Sequence, residues 1–133
     1  MKKRHVPKIL IVDDEKNLRR LLQVTLDHRK FKLYEASNGF EAISLAVEHK
    51  PDVILLDVMM LGGIDGVEVC KRIKSTLMLS NTYVILLTAL GQERDRAEGL
   101  SAKADAYITK PFSPIHLLSM IEDYLSKQVK EKP

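Results

Sequence analysis

Short apolar runs alternate with longer amphipathic stretches along the whole chain. Three of the apolar runs are almost continuous in aliphatic residues, which is typical of parallel strands covered on both faces. The predicted strands are Lys8–Val12, Lys32–Ala36, Val53–Leu56, Tyr83–Leu87 and Ala106–Ile108. Strands that alternate with helices in this way predict an α/β domain with right-handed crossovers.

The stretches between the strands carry apolar residues at helical spacing. In the first stretch the recurring residues are Leu18, Leu21, Leu22, Thr25 and Leu26. Intervals of three and four residues place them in one stripe on a helix. Similar stripes follow the second and third strands, and a weaker, mostly polar pattern at 92–100 predicts a fourth helix. Ser113 as N-cap and Pro114 at the first helical position begin a fifth. The pattern therefore predicts five β-α units in an open, doubly wound sheet.

Acidic residues follow two of the predicted strands where each strand ends. Asp13 and Asp14 come after the first strand, and Asp57 comes after the third. Because ligands of open α/β sheets bind outside the carboxyl ends of the strands, we expect these acids to converge there. Like charges at short range are stable only if a cation neutralises them or a proton is shared. Oxygen ligands favour a hard cation, so the cluster predicts a Mg²⁺ site.

Two further polar residues lie at the same predicted edge. Thr88 closes the fourth apolar run, and Lys110 follows the fifth. Beside Mg²⁺, the Asp57 carboxylate is a candidate nucleophile toward phosphorus, since carboxylates form acyl phosphates. The Lys110 ammonium and the Thr88 hydroxyl would then contact the oxygens of the transferred group. The arrangement predicts phosphoryl transfer to Asp57.

Each of these residues also has an ordinary structural explanation. Asp13 and Asp14 could cap the first helix, because Asp is favoured at that end of a helix. Thr88 could be a β-branched residue that ends a strand, and Lys110 a solvated loop lysine. A different function, metal-dependent phosphate-ester hydrolysis through an aspartyl phosphate, is disfavoured because position 15 is Glu where such enzymes carry a second Asp.

Composition limits the remaining classes of protein. The 133 residues fit one domain with a sizeable core. The lone Cys70 rules out an internal disulfide framework and suits a reducing compartment. No apolar run reaches the roughly 20 residues that span a bilayer. We expect a cytoplasmic protein.

The net charge of +3 is concentrated at the two ends of the chain. We interpret 1–7 as a basic tail, 8–127 as the folded domain and 128–133 as a charged tail. Because the domain itself lacks a basic cluster, and the chain ends soon after the last predicted helix, we do not expect direct contact with nucleic acid.

The ordered set of motifs resembles the receiver domain of two-component response regulators, including chemotaxis regulators. The motifs are Asp13-Asp14, Asp57, Thr88-Ala89 and Lys110-Pro111-Phe112. The resemblance implies a flavodoxin-like sheet with strand order 2-1-3-4-5. It also implies a phosphoacceptor switch rather than an enzyme, with a sensor histidine kinase or phosphotransfer protein as donor. The target would be an effector protein or a C-terminal output domain, and the domain a monomer or a weak, phosphorylation-dependent dimer.

The resemblance assigns roles by position. Asp57 would be the phosphoacceptor, and Thr88 and Lys110 would sense the phosphate. Tyr107 would move with Thr88 and change the face built from the fourth helix, fifth strand and fifth helix. In the family, the peptide before the proline at position 111 is commonly cis. The Mg²⁺ ligands would be Asp13 (largely through water), Asp14, Asp57 and the backbone carbonyl of Met59.

One loop departs from the family pattern. Receiver domains usually carry a proline four residues after the acceptor and a glycine eight after it. Here position 61 is Leu, and Gly66 lies nine residues after Asp57. Relative to the family pattern, Leu61-Gly62-Gly63 therefore replaces a Pro-Gly pair with one extra residue. Met59 precedes the change, so we expect its carbonyl to keep its place.

Overall fold

The computed structural model describes residues 6–27, 29–60, 63–89 and 102–131, and within them five parallel strands form one sheet. The strands are β1 (Lys8–Val12), β2 (Lys32–Ala36), β3 (Val53–Asp57), β4 (Tyr83–Ala89) and β5 (Ala106–Lys110). Their order in the sheet is β2-β1-β3-β4-β5. The predicted fold class and strand order are confirmed.

Three strands extend further at their carboxyl ends than the apolar runs predicted. Asp57, the last residue of β3, pairs with Leu87 of β4. Ala89, the last residue of β4, pairs with Lys110, the last residue of β5. Parallel backbone pairing continues through these polar positions because it depends on the neighbouring strand rather than on the side chain. The polar residues are thus held by the sheet itself.

The described helices are α1 (Lys16–Thr25), α2 (Gly39–His49), α3 (Gly66–Ser75) and a C-terminal helix (Pro114–Glu131), which is the fifth helix of the prediction. A 3₁₀ turn at Leu77–Leu79 follows α3. The predicted fourth helix at 92–100 lies outside the described residues, as do Leu61 and Gly62. The C-terminal helix runs through Glu131, so it includes 128–131, which the sequence analysis placed in a tail. None of the described helices is long and apolar enough to cross a membrane.

Helix starts follow local side-chain chemistry. Asn38 accepts a hydrogen bond from the Glu41 N–H at the start of α2, and Ser113 accepts one from the His116 N–H at the start of the C-terminal helix. At α1 the N-cap is Glu15, whose side chain makes no capping bond. Asp13 Oδ1 instead accepts the Glu15 N–H at 2.8 Å. The capping explanation for Asp13 therefore holds in a modified form, because this carboxylate fixes the turn before the helix.

The hydrophobic core lies on both faces of the sheet. Leu10 and Val12 of β1 pack on one face with the buried side of α2 and α3. Ile9 and Ile11 point to the opposite face and pack with Leu22 of α1 and the C-terminal helix. Because both faces are covered, β1 has no polar side chain between Lys8 and Asp13. Two covered faces leave the ends of the strands as the place for polar chemistry.

Candidate functional site

Three carboxylates meet at the carboxyl edge of the sheet. Asp13 directly follows β1 and Asp57 ends the neighbouring strand β3. One oxygen from each of Asp13, Asp14 and Asp57 lies within 4.8 Å of the others. Asp13 and Asp57 are buried and Asp14 is exposed. The structure thus brings together the acids that the sequence predicted to converge.

The ammonium of Lys110 reaches into this acidic cluster from the end of β5. Its Nζ lies 3.1 Å from Asp13 Oδ2 and 3.2 Å from Asp57 Oδ1. Burial alone would lower the pKa of Lys110, but the two carboxylates outweigh that effect and leave the pKa raised. Lys110 is therefore a fixed cation between the two buried acids, rather than a solvated loop lysine.

Asp57 is a buried acid with a raised pKa. Burial, and then the nearby charge of Asp13, raise its pKa to about 6, although Lys110 and the Met59 N–H lower it. The Met59 N–H donates to Asp57 Oδ1 at 3.3 Å. The raised pKa of Lys110 favours its charged form, whereas the raised pKa of Asp57 disfavours its charged form. The two groups differ because Asp57 is more deeply buried and also faces Asp13. A further cation at this edge would favour ionised Asp57.

Thr88 lies on β4, the strand beside Asp57, and Tyr107 lies on β5, one strand further along the sheet. Thr88 is buried, one residue past the Leu87 that pairs with Asp57. Tyr107 pairs with Leu86 and is half-buried against the part of the core that α2 and α3 cover. The peptide between Lys110 and Pro111 is cis, as the resemblance implied.

Gly66, the first residue of α3, approaches the backbone of Asp57 very closely. A Cβ at this position would lie 2.1 Å from the Asp57 carbonyl oxygen, so the backbone contact requires glycine. The Gly66 N–H also donates to the Val58 carbonyl at 2.9 Å. Met59, on the near side of the loop, is 59% exposed. The shifted glycine thus packs directly on the backbone of Asp57, despite the altered spacing.

Arg19, which is not among the predicted site residues, contacts the backbone of the acidic cluster. Its Nη1 donates to the Asp13 carbonyl oxygen at 2.6 Å. The sequence does not distinguish Arg19 from the exposed Arg20, because the two are adjacent arginines on the same helix.

The donor set of the acidic cluster fits a small divalent cation. Oxygens that coordinate one Mg²⁺ lie about 3–4 Å apart, given metal–oxygen distances of about 2.1 Å. Oxygens already within 4.8 Å of one another would need only small side-chain adjustments to bind it. The exposed Asp14 gives access from solvent, and the raised pKa of Asp57 marks the unfavourable negative charge that a cation would offset.

Comparison with known proteins identifies the family. The model of the response regulator receiver domain matches residues 9–122, which is most of the chain. The chain belongs to the family of response regulator receiver domains. The phosphate-ester hydrolase alternative has no support from this comparison.

Curated and structural relatives agree with this family. Transcriptional regulatory protein ResD of Bacillus subtilis is 44% identical over 120 residues, which are 90% of this chain and 48% of ResD. The receiver domain of a signal transduction histidine kinase from Syntrophus aciditrophicus has a TM-score of 0.85 at 34% identity, over 96% of this chain and 95% of that one. The BeF3-activated receiver domain of DrrB, from Thermotoga maritima, has a TM-score of 0.80 at 34% identity, over 92% of this chain and 99% of that one. The chain spans about half the length of the curated relatives it matches.

Proposed function

We propose that this domain accepts a phosphoryl group on Asp57 from a phosphohistidine of a sensor histidine kinase or phosphotransfer protein. The observation that carries the proposal is the convergence of three carboxylates with the Lys110 ammonium at one edge of the sheet. A carboxylate oxygen of Asp57 attacks phosphorus, the phosphorus–nitrogen bond breaks, and the imidazole leaves with a proton from solvent. The domain is a phosphoacceptor switch and not an enzyme that turns over a separate substrate.

Asp14, Asp57 and the Met59 carbonyl would hold Mg²⁺, with Asp13 acting largely through water. When bound, the cation supplies positive charge that offsets the carboxylates and the incoming phosphoryl oxygens. The ammonium of Lys110 already lies 3.2 Å from Asp57 Oδ1 and would move to a phosphoryl oxygen once one is present. The Thr88 hydroxyl would donate to another oxygen of the same group.

Phosphorylation would change the output surface through two neighbouring strands. The phosphoryl group adds roughly two negative charges where a carboxylate charge stood. Thr88 would move toward it, and Tyr107, which is half-buried on the adjacent strand β5, would turn further inward. The surface that changes is the face built from the predicted fourth helix, β5 and the C-terminal helix. This is a population shift driven by a local change of charge.

The partner that reads this surface is an effector protein or an output domain of the same polypeptide. ResD and SrrA are transcriptional regulatory proteins about twice the length of the segment they share with this chain. We propose that any contact with nucleic acid belongs to such an output domain and not to the receiver. The receiver itself would be a monomer or a weak dimer that forms on phosphorylation.

Incubation with acetyl phosphate and Mg²⁺, followed by intact-protein mass spectrometry, tests the phosphoacceptor. We expect an adduct of about 80 Da on the wild type, and none on Asp57→Ala. Asp123→Asn is the matched control, because Asp123 is a well-exposed acid on the C-terminal helix, paired with Lys127. An adduct that persists in Asp57→Ala, or a wild type that takes up no phosphate, would contradict the proposal.

A further inference from the structure

The backbone of Asp13 is held on both sides by residues outside the acidic cluster. Its N–H donates to the Ala36 carbonyl at 3.1 Å, and its carbonyl accepts from Arg19 Nη1 at 2.6 Å. A peptide unit is planar, so the direction of the Asp13 carbonyl also sets the position of the Asp14 Cα. Ala36 of β2 therefore fixes the peptide that precedes Asp13, and Arg19 of α1 fixes the peptide that joins the two acids.

Arg19 is itself held in one orientation by β2. Its Nε donates to Glu35 Oε1 at 3.0 Å, and the Gln23 side-chain amide donates to the other oxygen of Glu35. The Arg19 side chain is only 15% exposed. Because the guanidinium is planar and rigid, anchoring Nε on Glu35 fixes the direction in which Nη1 points. Glu35, Gln23 and Arg19 thus form a chain of hydrogen bonds that ends at the Asp13 carbonyl.

We propose that Arg19 is a positioning residue for the cation site. By holding the Asp13–Asp14 peptide in one orientation, it keeps both carboxylates directed toward Asp57 and so raises the affinity for Mg²⁺. Arg19 touches neither the cation nor the phosphoryl group, and its effect passes through the backbone of Asp13. This inference rests on the proposed function, because it assumes that the acidic cluster binds Mg²⁺.

If Arg19 served only to hold α1 against β2, its substitution would have a different effect. It would lower the thermal stability of an Arg19 variant and leave its Mg²⁺ dissociation constant unchanged. A positioning role changes the dissociation constant even in a folded variant, because the ligands lose their preorganised geometry.

Magnesium titration followed by NMR amide shifts compares the wild type with Arg19→Met and Arg20→Met. Arg20→Met is the matched control, since Arg20 is an exposed neighbour of the same type. We expect Arg19→Met to bind Mg²⁺ about tenfold more weakly, and Arg20→Met to bind like the wild type. The melting temperature of each variant is recorded alongside.

Three outcomes separate the inference from the function beneath it. Equal Mg²⁺ affinity in Arg19→Met and the wild type overturns the positioning role and leaves the proposed function intact. A wild type that binds no Mg²⁺ overturns both. If Arg19→Met does not fold, Glu35→Gln decides: it loosens the anchor of Arg19 and should weaken binding measurably, so wild-type affinity in this variant overturns the inference.

Discussion

The two edges of the sheet differ in how they satisfy charge. At the amino edge, Lys74 Nζ lies 2.6 Å from Asp105 Oδ2 and donates to the Thr82 carbonyl at 2.6 Å. Asp105 Oδ2 also accepts the Val84 N–H at 2.8 Å. At the carboxyl edge three carboxylates converge, and the Lys110 ammonium contacts two of them. The first edge pairs its charges, whereas the second concentrates negative charge.

This difference indicates what each edge contributes. Paired charges at the amino edge join the end of α3 to the starts of β4 and β5, so they stabilise the fold. Converging carboxylates at the carboxyl edge should cost stability and, under the proposed function, create affinity for a cation, which is common where function opposes stability. A single substitution should therefore have opposite signs at the two edges.

Lys74→Met should have the largest effect, a loss of about 2–3 kcal/mol in the free energy of unfolding. The side chain of Lys74 is 11% exposed and that of Asp105 is 31% exposed. Removing Lys74 leaves the Asp105 carboxylate without its cation, and the partial exposure of Asp105 moderates the cost. Urea unfolding of wild type and variant measures the difference.

Lys71→Met is the control for Lys74→Met, because Lys71 is exposed on the same helix. Its unfolding free energy should stay within about 0.5 kcal/mol of wild type. Phosphorylation of Asp57 should survive in both variants, since neither touches the carboxyl edge. A Lys74→Met protein as stable as Lys71→Met would remove the distinction between the edges.

Asp57→Asn should have the opposite sign and raise stability by about 2 kcal/mol at pH 8 without divalent cations. Burial and Asp13 raise the pKa of Asp57 from 3.8 to about 6 in the folded state. The folded carboxyl holds its proton more tightly than the unfolded one, so its ionisation penalises folding increasingly above about pH 4 and in full above about pH 6. The penalty shrinks as the pH falls through 6 and vanishes below about 4.

Unfolding curves of wild type and Asp57→Asn at several pH values in EDTA test this linkage. The difference between the two proteins should be greatest at pH 8 and close to zero near pH 4. Titrating groups away from the carboxyl edge are common to both proteins and cancel. A difference independent of pH would mean that Asp57 is not the strained acid of the carboxyl edge.

The sequence predicted the acids at the carboxyl edge of the sheet but not the paired charges at the amino edge. Asp13 and Asp57 could be placed at one edge because each follows an aliphatic run, and the carboxyl ends of parallel strands lie at the same edge of a sheet. The Lys74–Asp105 pair could not be foreseen, because 31 residues separate its members and neither carries a motif. Ordinary helix periodicity also says nothing of the contact between Arg19 and the Asp13 carbonyl. Packing of distant segments decides such pairs, whereas local patterns decide strands and helices.

Mg²⁺ should stabilise the wild type by about 1.4 kcal/mol when its concentration is ten times the dissociation constant. The gain should be lost in Asp14→Asn, which removes a carboxylate of the acidic cluster. Asp52→Asn is the matched control at the amino edge, where Asp52 accepts the Lys8 N–H. Melting temperatures with EDTA and with Mg²⁺ measure the gain. Equal gains in all three proteins would place the cation elsewhere.

Arg72→Met should have the smallest effect, no more than about 0.5 kcal/mol. Arg72 Nε lies 3.1 Å from Glu68 Oε2, close to the distances at Lys110, but the two side chains are 49% and 43% exposed. Solvent screens such a pair, so its geometry contributes little. Urea unfolding at low and at 1 M NaCl measures the contribution, which should vanish at the higher salt concentration. If Arg72→Met cost as much as Lys74→Met, ion-pair distance alone would set stability, and the contrast between the two edges would have no basis in burial.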